Sequence, residues 1–170
     1  MQTYILLFRG INVGGNNILP MKEFVPLLKA NGFTDAYSYI QSGNIVLSCD
    51  GDPVERVKTL VNGNYGFSPE ILVFNKEEFT QIQQDNPYQA FEGKFVHFYF
   101  CHQLIDINLE LVNKYIDDSE QYSIKNNVLF LHAPNGIGRS KFVANIEACL
   151  GQCATGRNLN TIRKVEELMS

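Results

Sequence analysis

The stretch Tyr37-Ser-Tyr-Ile-Gln-Ser-Gly-Asn-Ile-Val-Leu-Ser48 decides the fold. Residues 37–41 and 45–48 are short strand-like runs, and Ser42-Gly43-Asn44 between them is a hairpin signal because glycine and asparagine tolerate positive φ. The two runs are predicted to pair antiparallel. Upstream, residues 2–8 are rich in β-branched, leucine and aromatic residues without alternation, the pattern of a strand covered on both faces. A loop follows, then a helix with Met21, Phe24, Val25 and Leu28 at helical spacing, which ends at Asn31-Gly32. Pro26, past the first turn, is expected to remove a hydrogen bond or bend the axis. Downstream, Pro53 opens a second amphipathic helix (Val54, Val57, Leu60, Val61) predicted to break at Asn62-Gly63-Asn64, and residues 71–74 form a fourth strand. Strand, helix, strand, strand, helix, strand is the ferredoxin-like pattern, an antiparallel sheet with both helices on one face.

Asn75 and Glu78 make a capping pair for a connecting helix through about residue 84, and the stretch 86–93, with Asn86-Pro87, reads as a linker. From Phe95 the order starts again: a strand to Cys101, a helix over 107–116, strands near 121–124 and 128–132 around Asn126-Asn127, and a helix from about Lys141. Where a fourth strand is due, the chain reads Thr155-Gly-Arg-Asn-Leu-Asn-Thr161 and then a short helix, so the second copy is expected to end differently. The expectation is an α+β chain of tandem ferredoxin-like (βαββα) repeats with antiparallel sheets and an extra C-terminal helix. Its predicted organisation is residues 1–85, a linker over 86–93, and a second half over 94–170.

A chain of 170 residues with 45% apolar content can bury a sizeable core. A net charge of -4 and a pI near 5.3 argue against a surface that is wholly a nucleic-acid footprint, while leaving room for a local basic patch. The apolar run Tyr4–Phe8 is too short for a signal-peptide core or a membrane span, so a cytoplasmic protein with no membrane partner is expected. Cys49, Cys101, Cys149 and Cys153 are expected to stay reduced, and Cys149 and Cys153 to serve packing.

Three loops attract attention as anion sites. Arg9-Gly-Ile-Asn-Val-Gly-Gly-Asn-Asn17 lies between the first strand and first helix; it lacks the dinucleotide fingerprint and the lysine of a phosphate loop. Its generic capacity survives: backbone amides and the Arg9 guanidinium, with Asn12, Gly14, Gly15 and Asn16, suit a phosphate or carboxylate. The alternative is a plain turn whose asparagines satisfy backbone groups. Asn135-Gly-Ile-Gly-Arg-Ser-Lys141 also runs into a helix, with Ser140 as N-cap and Arg139 and Lys141 near a terminus where cations are unfavourable unless an anion offsets them. The alternative there is solvated or carboxylate-paired cations. Arg157 and Asn158 mark the third, where Asn158 also reads as a simple cap. If these loops approach one another, Arg9, Arg139, Lys141 and Arg157 form a basic cluster on an acidic protein. The topology as read from sequence sets the first loop and the Ser42–Asn44 hairpin at opposite ends of their sheet, which argues against one site built from both.

Other chemistries are weaker. His97 and Cys101 share a strand face and His102 takes the other, too few ligands for zinc, so no metal is expected. Ser42, Ser140 and Cys153 are available nucleophiles, but no partner base can be assigned. Tyr37, Tyr39, Phe98 and Phe100 suit either an RNA-stacking face or core.

The segments Arg9-Gly-Ile-Asn-Val-Gly-Gly, Tyr39-Ile-Gln-Ser-Gly-Asn, Gly138-Arg-Ser-Lys and Thr155-Gly-Arg-Asn-Leu-Asn-Thr, in this order, resemble the bacterial family catalogued as domain of unknown function 1697. The resemblance spans nearly the whole chain and implies a bacterial, cytoplasmic α+β protein, with no established activity, cofactor or catalytic residues. The functional expectation is a protein that holds a phosphate-bearing small molecule or a nucleic-acid backbone through Arg9, Asn12, Gly14, Gly15, Asn16, Arg139, Ser140, Lys141, Arg157 and Asn158. The alternatives are an enzyme acting on a phosphorylated small molecule, with Ser140 or Lys141 taking part, and an interaction module or homo-oligomer.

Overall fold

The computed structural model describes residues 1–170 as a mixed α+β chain with two antiparallel four-stranded sheets and seven α-helices. Two compact units are present, one comprising Met1–Gln81 with Lys164–Ser170 and the other Ile82–Arg163. The two sheets are built alike.

In the first unit the order is β1 (Gln2–Arg9), α1 (Met21–Ala30), β2 (Thr34–Tyr39), β3 (Asn44–Cys49), α2 (Val54–Tyr65) and β4 (Glu70–Asn75), followed by α3 (Lys76–Asp85), which runs on past Gln81. The sheet order is β2-β3-β1-β4. Leu6, Phe8, Ile45 and Leu47 face one way and form a core with Met21, Phe24 and Leu28 of α1 and Val57 and Val61 of α2, so both helices cover the same sheet face. Phe8 and Phe24 meet edge to face at 6.2 Å, a favoured aromatic geometry. Ile5 and Leu7, which alternate with Leu6 and Phe8, are equally buried; this is why the strand shows no polar alternation.

Local chemistry explains where the elements stop. Helix α1 continues through Pro26, which lies on its exposed side, so the carbonyl that loses an amide partner belongs to the exposed residue Lys22. The predicted break at Asn62-Gly63-Asn64 is corrected: α2 runs to Tyr65 and ends at Gly66, whose φ of 80° supplies the left-handed cap that a helix ending needs. Strand β2 begins at Thr34 and ends at Tyr39, earlier than the apolar pattern suggests, because the polar Thr34 gains its strand geometry by pairing with Ser48 across an irregularity at Asp35. Asn75 and Glu78 form the expected reciprocal cap at the start of α3, at 2.8 and 2.9 Å.

The second unit carries a short 3-10 turn (Gly93–Phe95), β5 (Val96–Phe100), α4 (Leu109–Tyr115), β6 (Gln121–Lys125), β7 (Val128–His132), α5 (Lys141–Ala144), α6 (Ile146–Leu150) and β8 (Thr155–Asn158). Helix α7 (Leu159–Met169) closes the chain, with Leu159, Ile162, Val165 and Met169 buried. The sheet order is β6-β7-β5-β8. Tyr99, Cys101, Leu129 and Leu131 pack with Val112, Phe142, Ile146, Cys149 and Leu150 of the helices. Phe98 and Phe130 alternate with them and meet at 4.9 Å, fully buried, which removes Phe98 and Phe100 as an open stacking platform.

The expectation that the second copy lacks its fourth strand is corrected by β8, which pairs with β5 from Phe100↔Thr155 to His97↔Asn158. Thr-Gly-Arg-Asn has no strand-like apolar pattern, and Gly156 fits because a Cβ there would lie 3.0 Å from the Tyr99 ring. The helix predicted from about Lys141 is two short ones that part at Asn145.

Candidate functional site

The first glycine loop is built around one asparagine. Asn12 accepts the Leu19 N–H through Oδ1 at 2.7 Å and donates through Nδ2 to the Leu19 carbonyl at 3.1 Å and the Gln41 carbonyl at 2.8 Å. Phe8 N–H donates to the Gly43 carbonyl at 2.9 Å. The loop and the β2–β3 turn therefore sit at one end of the sheet, correcting the expectation that they lie at opposite ends. The reason is register: Leu7 near the end of β1 pairs antiparallel with Asn44 at the start of β3.

Gly10, Asn12, Gly14, Gly15 and Asn17 all hold positive φ, which explains the glycine and asparagine content without a ligand. Val13 and Asn16 close a tight turn at the tip, with Gly14, Gly15 and Asn16 exposed. Asn17 Nδ2 donates to the Gly10 carbonyl, and no side chain caps α1 at Pro20. Arg9 ends β1, half-buried, opposite Glu70 in register.

The second glycine loop borders a cleft of about 440 Å³, in the size range of small-molecule sites. Arg139, Ser140 and Lys141 enter it from the loop before α5 and the start of that helix, Lys114 from the end of α4, and Asp117, Ser119 and Glu120 from the turn before β6; Asn135 also lines it. Asp117 Oδ2 accepts the N–H of Ser119 at 3.1 Å and its hydroxyl. These hydrogen bonds, the hydroxyl's first, hold the Asp117 carboxyl below its usual range. Glu120 Oε1 accepts the Asp117 N–H at 2.9 Å, and Oε2 accepts the Ser140 hydroxyl at 2.5 Å. Ser140 Oγ accepts the Val143 N–H at 3.1 Å, so this serine is the N-cap the sequence predicts and also the anchor of a carboxylate.

Both carboxylates are thus held by hydroxyl and amide donors. Lys114, Arg139 and Lys141 form no ion pair, and Arg139 and Lys141 are exposed. Three cations against two carboxylates leave the lining with a net positive charge, which attracts an anion, and Lys114 Nζ lies over the Tyr115 ring at 5.3 Å.

Residues 1–130 match the family described as Protein of unknown function (DUF1697). The chain belongs to this family. The matched span of the DUF1697 chain includes the Asn12 loop, the β2–β3 turn and the Lys114–Glu120 side of the cleft. A solved structure, the conserved bacterial protein SP0830 from Streptococcus pneumoniae, is 22% identical to it over 99% of both chains with a TM-score of 0.73, a likeness of fold. No curated protein matches it.

Arg157 of this DUF1697 member lies on β8 and is not part of the cleft lining. Its Nη1 donates to the Gly156 carbonyl at 2.8 Å, and burial pushes its pKa down to about 10, still charged at neutral pH. Asn158 Oδ1 accepts the Thr161 N–H at 2.9 Å as a cap for α7. Of the sequence-selected residues, the cleft brings together Arg139, Ser140 and Lys141. Sequence reasoning missed Lys114, Asp117 and Glu120; the signal was the Asp117-x-x-Glu120 spacing, a capping-type turn just before a strand. Cys149 is buried as expected, whereas Cys153 is exposed and does no packing.

No helix is long and apolar enough to cross a membrane.

Proposed function

We propose that this chain is a bacterial cytoplasmic protein that binds a phosphate-bearing small ligand in the cleft bordered by Arg139, Ser140 and Lys141. The observation that carries the reading is the division of labour in that cleft. Asp117 and Glu120 are held in place by hydroxyl and amide donors and form no ion pair with Lys114, Arg139 or Lys141, so the charges of these three cations are available to a ligand. Arginine suits a phosphate through its planar fork, and lysine through a mobile point charge. The exposed Gly14 and Gly15, with Arg9, are the second place we assign to the same chemistry in the first unit, the Asn16 amide being spent on the Val13 carbonyl at 2.9 Å, and Arg157 is the third.

We read each unit as a ferredoxin-like module. Support comes from the strand orders β2-β3-β1-β4 and β6-β7-β5-β8, with helices in the two crossovers of each sheet.

Isothermal titration with inorganic phosphate and pyrophosphate tests the binding reading. Wild type should bind with an affinity that weakens as salt rises past about 0.1 M, where screening acts within roughly 10 Å. Arg139→Ala with Lys141→Ala should abolish the signal. Unaltered binding in that double variant, or none in wild type, would overturn the proposal. The enzyme reading has one specific observation in its favour, the Ser140 hydroxyl hydrogen-bonded to Glu120 at 2.5 Å. Release of phosphate from a panel of phosphomonoesters, lost in Ser140→Ala and Glu120→Gln, would establish it.

A further inference from the structure

We propose that the ligand of the cleft is a phosphomonoester carrying neighbouring hydroxyl groups, either a free sugar phosphate or the phosphoribosyl end of a nucleotide. The inference rests on the phosphate reading above and narrows it by asking what else the cleft wants.

A bare phosphate fits only half of the lining. Lys114, Arg139 and Lys141 attract it, but Asp117 and Glu120 border the same space and repel it. Asp117 stays ionised at neutral pH, because the Ser119 hydrogen bonds favour its charged form. An ionised carboxylate accepts about four hydrogen bonds. Asp117 takes both of its hydrogen bonds on Oδ2, leaving Oδ1 open, and each Glu120 oxygen takes one. The acceptor capacity therefore exceeds what the protein fills. The Asn135 amide, whose Nδ2 donates to Ser119 Oγ at 3.2 Å, leaves its Oδ1 as a further acceptor on the lining.

A well-matched ligand presents an anion to the cations and hydrogen-bond donors to the acceptors. Hydroxyls supply the donors without adding charge. An ammonium group would also donate, but three cations against two carboxylates already leave the lining with net positive charge, which disfavours a second cation. Vicinal hydroxyls on a phosphorylated carbon skeleton meet both demands, and the cleft of about 440 Å³ accommodates a ligand of that class.

The experiment is isothermal titration of the full chain with inorganic phosphate, ribose 5-phosphate, adenosine 5′-monophosphate and phosphoethanolamine. Ribose 5-phosphate is expected to bind at least about tenfold tighter than inorganic phosphate, and phosphoethanolamine no tighter than inorganic phosphate. Asp117→Asn and Glu120→Gln each remove a negative charge, so both should hold or improve binding of inorganic phosphate while erasing the tenfold preference. A nucleotide that binds tighter than ribose 5-phosphate assigns the phosphoribosyl source, and the reverse order assigns the free sugar phosphate. Equal binding of inorganic phosphate and ribose 5-phosphate overturns this inference and leaves the phosphate reading standing. So does a preference that survives both substitutions, or a tighter complex with phosphoethanolamine. Absence of binding by every compound overturns both.

Discussion

Gly43→Ala is the most discriminating test of how the first unit is held together. Gly43 sits at φ +94° in the β2–β3 turn, and a Cβ there would lie 2.6 Å from Phe8 Cβ and 2.7 Å from Ile11 Cδ1. Phe8 is fully buried and Ile11 nearly so, so neither can swing into solvent. Two costs combine: a left-handed backbone for an L-residue, about 1–2 kcal/mol, and overpacking of a filled core, typically about 1–3 kcal/mol. The sum of about 2–5 kcal/mol is a large share of a domain stability of about 5–15 kcal/mol. Gly14→Ala is the internal control, because Gly14 has φ +58° and nothing within 4 Å of its would-be Cβ; it carries only the backbone cost. Urea unfolding followed by far-ultraviolet circular dichroism reads the difference. With a slope of about 1–3 kcal/mol per M, Gly43→Ala should lower the midpoint by roughly 1 M or more and by clearly more than Gly14→Ala. Equal shifts for the two variants would refute the claim that close approach to Phe8 and Ile11 is what requires glycine at this turn.

Four further outcomes are expected. Asn12→Ala removes the side-chain hydrogen bonds joining the first loop to Leu19 and Gln41, three at 2.7, 2.8 and 3.1 Å and a long one to Gln41 Oε1 at 3.5 Å; at about 1 kcal/mol for each close one it should cost about 2–4 kcal/mol in urea unfolding, and a cost below about 0.5 kcal/mol would show the clamp to be idle. Ser140→Ala deletes the cap of Val143 and the anchor of Glu120, for about 1–2 kcal/mol, with faster amide exchange at Val143 as its local mark. His97 is 7% exposed with no partner for Nε2, and burial holds its pKa below the usual value, with His132 shifted the same way. The unfolded chain therefore takes up protons near pH 6.5 that the folded chain refuses, so stability is full above that value and declines as pH drops through it. In His97→Gln the loss of midpoint between about pH 7.5 and 5.5 should shrink, and an unchanged loss counts against the assignment. Finally, Ellman's reagent should modify one thiol of the native chain, Cys153, and all four after denaturation, since Cys49, Cys101 and Cys149 are buried with raised pKa values; rapid reaction of more than one would contradict their burial.

What the sequence determined by itself is the local logic. The Ser42-Gly43-Asn44 turn signal, the unbroken apolar run of β1, the helical spacing of Met21, Phe24 and Leu28, and the Asn75–Glu78 cap are short-range patterns, and each names its element without help from distant residues. The family resemblance was equally legible, and its first two motifs carry the positive-φ residues Gly10, Asn12, Gly14, Gly15 and Gly43 that their loops demand. Ser140 as a cap and Arg139 and Lys141 as cations near a helix start could be read the same way.

Tertiary structure decided everything that depends on which segments meet. Thr155–Asn158 is a strand because β5 offers it an edge and Gly156 leaves room for the Tyr99 ring, and neither partner is written in three polar residues and a glycine. The β1–α1 loop adjoins the β2–β3 turn because antiparallel register places Leu7 beside Asn44, and Asn12 can then reach Gln41. The cleft is tertiary for the same reason. Lys114, Asp117 and Glu120 lie 19 or more positions from Arg139 in the chain, and only the packing of α4, α5 and the turn before β6 puts their charges around one space. Periodicity and caps report on neighbours within a few residues, whereas a binding site is a statement about distance in space.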